Sequence, residues 1–571
     1  MQWRSVPTST IRRHPATTDA RIESPNLHIR SIVPDRRPFM SSVEDTVADA
    51  SGKVHAVVAS ASAPDENESL GLKTLPSEDD PELVGDDAGE STLLTGSTRR
   101  PDPEGYLALS DRLSVGQWKM FAFVSLNYFM NGMANLQQVL VEREPDIQCK
   151  AGQPGCDADH VCDFEWQYVE EVAATVAQTY DLVCSRSWMA SLLGSLFFAG
   201  FGVGSVFGGV VADKYGRRFG LIVTLAIQCV GCLSFLASNS YVLYAYLRFV
   251  TGVGVGGQIV VGCTYLSEFM PPRWRAATCA AGINTVWSFG GITVASVAWI
   301  SYSKGWNWQV VAGFAFFSSC LQFLWIFYVH ETPHFLYNRE DYTQSSMILR
   351  KIDPPTTTAQ ECTLDAVMDG PQISALDKQA SRRLNQKVHG RNLRVILLLM
   401  MLAWLASSAA YYALALNTGS LPGSFYLNAI VNFLVDVPAL ILAIPIFDRF
   451  GRKFAVCGGL FGGGLCMVGM ILGDFGDVDA LLRSCAFLGK FFMQLSFGTV
   501  FVYTPELFPT ALRSFGMGAC SWAARLGGIT APFVLRGHEL QGLFALTAVT
   551  LLAGTGVLTA VPETLNKLMP A

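Results

Sequence analysis

Two short charged runs in this 571-residue chain have the residue types and spacing of ion clamps. "ADKYGRRFG" carries Asp213, Arg217 and Arg218, and "FDRFGRKFA" carries Asp448, Arg449 and Arg452. A carboxylate four residues before a guanidinium shares a helix face with it. At a helix end such a pair can hold one helix against the next in one conformation and release it in another, so the expected role is gating. Simple anchoring of basic side chains at a membrane surface accounts for the same residues. Glu268 and Arg275 in "EFMPPRWR", and Glu506 and Arg513 in "ELFPTALR", share the spacing E-x-x-P-x-x-x-R and take the same gating reading. Bond-making chemistry is not expected: the apolar runs hold no Ser/His/Asp or paired-His constellation, and no G-x-x-x-x-G-K-[ST] loop is present. None of the 14 cysteines lies in a CxxC array or with His at metal-ligand spacing, so neither a metal nor a cofactor is expected.

A second set of charges lies inside apolar stretches: Arg248, Asp436, Lys490 and Arg525. An unpaired charge at bilayer depth costs at least about 2.5–3.5 kcal/mol, which makes each a candidate functional residue. Lys490 and Arg525 opposite Asp436 would suit a solute with a carboxylate and a cationic group; alternatively Asp436 pairs with one base, which still leaves the other unpaired. Trp404 and Tyr411 share a helical face with position 408 and could give cation–π contact, as could the neighbouring Tyr412 and, more weakly, Trp287 and Trp522. Gln494 lies one turn after Lys490, and Asn127 and Gln258 are intramembrane amides. These complete the candidate substrate-binding set, although buried amides also bond neighbouring helices and aromatics also pack.

The elements that must position these residues are read from composition and hydropathy. With 50% hydrophobic and 15% charged residues, the chain reads as an all-α integral membrane protein. Apolar runs of about 20 residues, each long enough to cross about 30 Å of hydrocarbon, fall near 118–140, 187–211, 219–237, 241–264, 276–300, 309–329, 393–416, 425–447, 454–473, 480–503, 512–534 and 541–561. Residues 1–116 hold 19 acids and 12 bases in a Ser/Thr/Pro-rich stretch and read as a disordered cytosolic tail. The remainder is nearly neutral, so no basic field for nucleic acid is expected. The expected organisation is a six-helix bundle over 117–329 with an outer loop at 141–186, a cytosolic central loop at 330–392, a second bundle over 393–561 and a cytosolic end at 562–571.

Orientation follows from Lys and Arg in the short loops: nine lie after spans two, four, eight and ten, against three on the opposite side. Both termini and the central loop are therefore expected in the cytosol. The loop at 141–186 faces out, carries ten acids against three bases, and contains Cys149, Cys156, Cys162 and Cys184. In an oxidising compartment these suggest two disulfides with three possible pairings.

The halves repeat each other. The aspartates of the two D-[KR]-x-G-R-[RK] runs lie 235 residues apart, the E-x-x-P-x-x-x-R glutamates 238 apart, and "FGGI" returns as "LGGI" at 237. "HETP" after span six echoes "PETL" after span twelve. This order describes two six-helix bundles in parallel repeat, an arrangement of alternating-access transporters. The loops and the two-fold plan resemble the major facilitator superfamily over essentially all of 117–566. "TYDLVCSRSWM", "WLASSAAYYALALNTGSLPGSFYLNAIVNFLVDVPALIL" and "GKFFMQLSFGTVFVYTPELFPTALRSFGMG" further resemble the organic cation/anion/carnitine transporter family.

The resemblance implies secondary transport of small organic ions, zwitterions such as carnitine-like compounds, anions or cations. It places Arg525 where anion and carnitine-type members keep an arginine and cation transporters keep an acid, and Trp404 and Tyr411 at family binding positions. Lys490 matches the carnitine-type pattern, whereas Leu440 departs from anion members, which tend to have a lysine there. The expected partners are a small organic ion, the lipid bilayer, and Na+ or H+ as coupling ion, with Arg248 and Glu506 as charges that a coupling path could use. The expected location is the plasma membrane. Two alternatives are a sugar porter of the same superfamily and a transporter-like receptor that signals through its tail. If the charge bias sets orientation, an epitope in 141–186 will be labelled on intact cells and one in 355–385 only after permeabilisation; labelling of the central loop on intact cells reverses the assignment.

Overall fold

The structure is a computed structural model that describes residues 102–564 apart from 151–160, 170–174, 238, 327–328, 370–390, 477, 509 and 535–538. The side chains of Asp448 and Arg513 also lie outside the described residues. Long helices occupy all twelve apolar intervals. They are α1 Val115–Val141, α2 Ser187–Tyr215, α3 Arg217–Cys232, α4 Tyr241–Ser267, α5 Ile283–Ser303, α6 Gln309–Ile326, α7 Arg391–Leu416, α8 in two pieces, Phe425–Leu434 and Asp436–Phe450, α9 Arg452–Phe475, α10 Asp479–Leu507, α11 Thr510–Val534 and α12 Glu539–Ala560. A π-helical stretch, Ala276–Gly282, leads into α5.

Among the described residues, nine of these are long and apolar enough by themselves to cross a membrane. α1 is not one of the nine, because Asn127, Asn131, Asn135, Gln137 and Gln138 lie along it; all five are buried and face protein. Its start is fixed by a capping box, in which Gln117 N donates to Ser114 Oγ and Ser114 N to Gln117 Oε1.

Of the tail read as unstructured through residue 116, the described residues 102–116 are ordered. A short helix, Pro103–Leu107, capped by the Asp102 side chain, buries Tyr106 and Leu107 against Leu349, Leu364 and Val367 of the central loop. That apolar patch, absent from the acidic run before it, offsets the ordering entropy. The central loop itself holds helices Pro333–Asn338, Tyr342–Ile352 and Thr358–Asp369. In the acidic loop, Ile147–Cys149 pairs antiparallel with Trp166–Tyr168, and a Cys162–Cys184 disulfide ties the loop to the start of α2. Cys149 is disulfide-bonded as well, and Cys156 lies outside the described residues.

The distribution of apolar cores tells which end is closed. Toward the acidic-loop end, Phe197, Phe198 and Phe201 of α2 share one core with Ala409–Leu414 of α7 and Ala531 of α11, and Met133 and Leu136 of α1 share another with Ala429 and Phe433 of α8. Toward the basic end the cores separate. Val124, Tyr128, Leu221 and Tyr265 form one within the first six helices, and Trp404, Leu460, Tyr503 and Val557 form one within the last six. At that end the π-helical lead of α5 touches α8 and α10. The two halves are thus welded at the acidic-loop end. Ser191 and Ser195 hydroxyls add hydrogen bonds of 2.9 and 2.7 Å to the Pro532 and Ile529 carbonyls of α11.

Within the first six helices, α2 and α4 approach backbone to backbone through the glycines of "TGVGVGGQ" and their α2 partners. A Cβ on Gly204 would lie 1.9 Å from the Val253 carbonyl oxygen, whereas one on Gly209 would meet nothing within 4 Å. Gly204→Val should therefore destabilise the folded protein by about 1–3 kcal/mol or more, and Gly209→Ala should not. Thermal unfolding in detergent checks this, and equal melting temperatures for the two variants contradict the packing.

Candidate functional site

The charged runs form two matching clamps at the basic end. Arg217 Nη1 lies 2.5 Å from Asp213 Oδ1 and its Nε 3.0 Å from Glu268 Oε1, which joins the end of α2, the start of α3 and the end of α4. In the second half, Arg452 Nε lies 3.3 Å from Glu506. Each clamp has a further acid that sequence reasoning did not single out. The Glu331 carboxylate accepts the backbone N–H groups of Arg217 and Arg218, and Glu563 accepts those of Arg452 and Lys453. A carboxylate on the free N–H groups of a helix start is favoured by both hydrogen bonding and the helix dipole. Gly216 and Gly451 make room: φ is +112° and +94°, and an added Cβ would lie 2.3 Å from Glu331 and 2.5 Å from Glu563. The signal was present in the repeat of "HETP" and "PETL", whose glutamates these are.

The remaining gate residues do not all join the clamps. Arg275, expected to act with Glu268, instead makes a two-point contact of 2.7 and 2.6 Å with Glu104, which also lies 3.3 Å from His334. Burial would raise the Glu104 carboxyl, but hydrogen bonds and charge from His334 and Arg275 hold it at about 2. Arg449 lies over the Phe450 ring. Asp448 and Arg513 cannot be placed in the clamp because their side chains lie outside the described residues.

The interior charges sort by partner. Arg248 Nε lies 2.6 Å from Glu142 Oε1, which also accepts the Tyr244 hydroxyl at 3.1 Å. Lys490 pairs with Asp436 at 3.4 Å, and Tyr411 donates to the same carboxylate at 2.9 Å. Arg525 has no ion pair or hydrogen bond among the described residues, and its Nε is buried without a partner. Its guanidinium lies 3.6 Å from the centroid of the Phe201 ring, on the opposite bundle. Phe198 meets Tyr412 edge-on at 4.4 Å in the same region, and Tyr412 and Tyr128 both lie near Arg525. Asn135 lies beside Tyr412.

The arrangement presents one unneutralised positive charge, flanked by aromatic faces and an amide, where α1, α2, α7 and α11 converge. Phe201, Asn135 and Glu142 were not in the sequence-derived set, whereas Tyr412 was one of its aromatic candidates.

Other residues of that set have partners of their own. Trp404 is fully buried, donates to Thr504 Oγ1 at 2.9 Å and packs on Phe501 within the second half. Asn127 donates to Gln258 at 2.5 Å, and Gln258 donates to Leu221 O and Thr224 Oγ1, so these amides join α1, α4 and α3. Gln494 is buried on α10. Trp287 packs near Tyr128, and Trp522 is exposed on the outer surface of α11.

The family model described as sugar (and other) transporter matches residues 119–569. The chain is 27% identical over 436 residues to organic cation/carnitine transporter 2 of Homo sapiens, covering 73% of this chain and 77% of that protein. It is 28% identical over 473 residues to organic cation/carnitine transporter 4 of Arabidopsis thaliana, covering 79% and 87%. Among solved structures, the partially occluded inward-open xylose transporter XylE of E. coli superposes with a TM-score of 0.59 at 17% identity, over 79% of this chain and 99% of that one.

The clamps predict a split between rate and affinity. Asp213→Asn and Glu331→Gln should each lower the maximal transport rate roughly two- to fivefold, the equivalent of about 0.3–1 kcal/mol at a helix terminus, with half-saturation little changed. A pure loss of affinity at unchanged maximal rate counts against the gate.

Proposed function

The chain belongs to the sugar (and other) transporter family of the major facilitator superfamily, and on that premise we propose that it carries small organic ions bearing a carboxylate, anions or carnitine-like zwitterions, across the plasma membrane. It is a multi-pass secondary transporter and not an enzyme. The observation that carries the substrate reading is Arg525, buried at the meeting of the two bundles with no counter-ion among the described residues. Asp436, the acid that could have served a cationic solute, is engaged by Lys490 and Tyr411. A guanidinium can grip a carboxylate at two points, and the rings of Phe201 and Tyr412 give an aliphatic or ammonium-bearing remainder an apolar wall.

A sugar porter needs a site dominated by free amides. Here Asn127 and Gln258 direct their hydrogen bonds to each other and to α3, and the group buried at the meeting of the bundles is the Arg525 guanidinium against the Phe201 ring, which favours the organic-ion reading. Alternating access follows from closure at one end with separate cores at the other, and the clamps bias that equilibrium from the cytosolic side.

Uptake into vesicles of purified protein, with tetraethylammonium, carnitine and a dicarboxylate as probes, tests this. A hydrogen-bonded contact to a charged group contributes about 1.5–3 kcal/mol, so Arg525→Ala should weaken uptake of the carboxylate-bearing probes tenfold or more. Arg525→Lys should be intermediate, and Arg525→Asp should repel carboxylates. Normal carboxylate transport by a folded Arg525→Ala protein rules the reading out.

A further inference from the structure

α7, α8 and α10 meet around a ring of oxygen atoms with a single positive centre. Lys490 Nζ lies 2.6 Å from Asn432 Oδ1 and 3.2 Å from the Asn432 backbone carbonyl. Both carboxylate oxygens of Asp436 lie 3.4 Å away. Oδ2 also receives the Tyr411 hydroxyl, while Oδ1 accepts no hydrogen bond among the described residues and lies 3.4 Å from the ammonium. The rings of Tyr411 and Phe433 close the sides at 4.4 and 5.3 Å from Nζ. Asn432 cannot turn away, because its side-chain nitrogen donates to Thr418 Oγ1 at 2.6 Å and to the Leu414 carbonyl. The helix ladder of α8 is interrupted here at Val435, where Pro438 has no N–H to offer the Leu434 carbonyl. Asp436 and Lys490 are both fully buried.

A carboxylate, an amide oxygen and a main-chain carbonyl beside a helix interruption are the donors with which membrane transporters hold Na+. In this chain the charge at the centre is covalently attached. We propose that this ring is a monovalent-cation site whose occupant is Lys490 itself, so that the protein needs no Na+ at this position, and removal of the ammonium opens the site to Na+ or a small alkylammonium. The inference goes beyond the substrate reading and stands without it: Arg525 lies elsewhere, and the test below measures no transport.

The full-length protein and its variants are unfolded thermally in detergent at constant ionic strength, in choline chloride with NaCl or methylammonium chloride titrated in. The parent should melt at the same temperature throughout. Lys490→Ala should melt lower in choline, and Na+ or methylammonium should raise it saturably by about 3 °C or more. Lys490→Ala combined with Asp436→Asn should not respond. A Lys490→Ala protein that can be purified only when Na+ or methylammonium is present supports the proposal equally. Saturable Na+-specific stabilisation of the parent that Asp436→Asn abolishes overturns it. So does a Lys490→Ala protein that responds to neither cation or cannot be recovered with either.

Discussion

A guanidinium held among membrane helices without a counter-ion among the described residues is the constraint that the rest of this structure answers. The cost of about 2.5–3.5 kcal/mol for a charge at bilayer depth is met in two other places by pairing, Arg248 with Glu142 and Lys490 with Asp436. Arg525 is treated differently. It is stacked on Phe201, buried away from lipid, and left without an ion pair or hydrogen bond among the described residues. Because Phe201 belongs to the first bundle and Arg525 to the second, the same contact sits on the seam along which the bundles must part.

The remaining architecture closes that seam at one end and keeps the two cores separate at the other. Toward the acidic-loop end, phenylalanines of α2 and alanines of α7 share one core, and serine hydroxyls of α2 reach carbonyls of α11. Toward the basic end each bundle keeps its own core, and its helix ends are tied internally by an arginine paired with a glutamate, with a second glutamate over the next helix start. The duplication gives both halves the same device, at Gly216 and at Gly451, so the bundles can behave as rigid bodies while the seam between them changes.

Much of this was legible in the sequence, for identifiable reasons. Spans appeared because backbone in lipid must be helical and because the thickness of hydrocarbon fixes their length. The clamps appeared because i, i+4 charge pairs at a repeated offset stand out against apolar runs. The partner of Asp436 did not, since Lys490 and Arg525 lie on different helices, and helical periodicity says nothing about which of two distant helices turns its base toward a given acid. Glu142 was hidden one residue beyond an apolar run, among nine other acids of the outer loop. Trp404 lies in the core of the second bundle, bonded to Thr504, and residue type and helical face alone do not reveal such packing. Glu104 and Tyr106 were masked by the polar composition around them, because a five-residue helix leaves no periodic signal.

The central claim is that the site offers a solute one positive charge and no free acid, and matched ligands test it most directly. Organic carboxylates such as carnitine, succinate and benzoate would each be compared with the corresponding primary amide for binding to the purified parent protein. The account predicts that, for the skeletons that bind, the carboxylate binds at least about tenfold more tightly, the equivalent of some 1.4 kcal/mol. Amides that bind as tightly as their carboxylates, or more so, would contradict it.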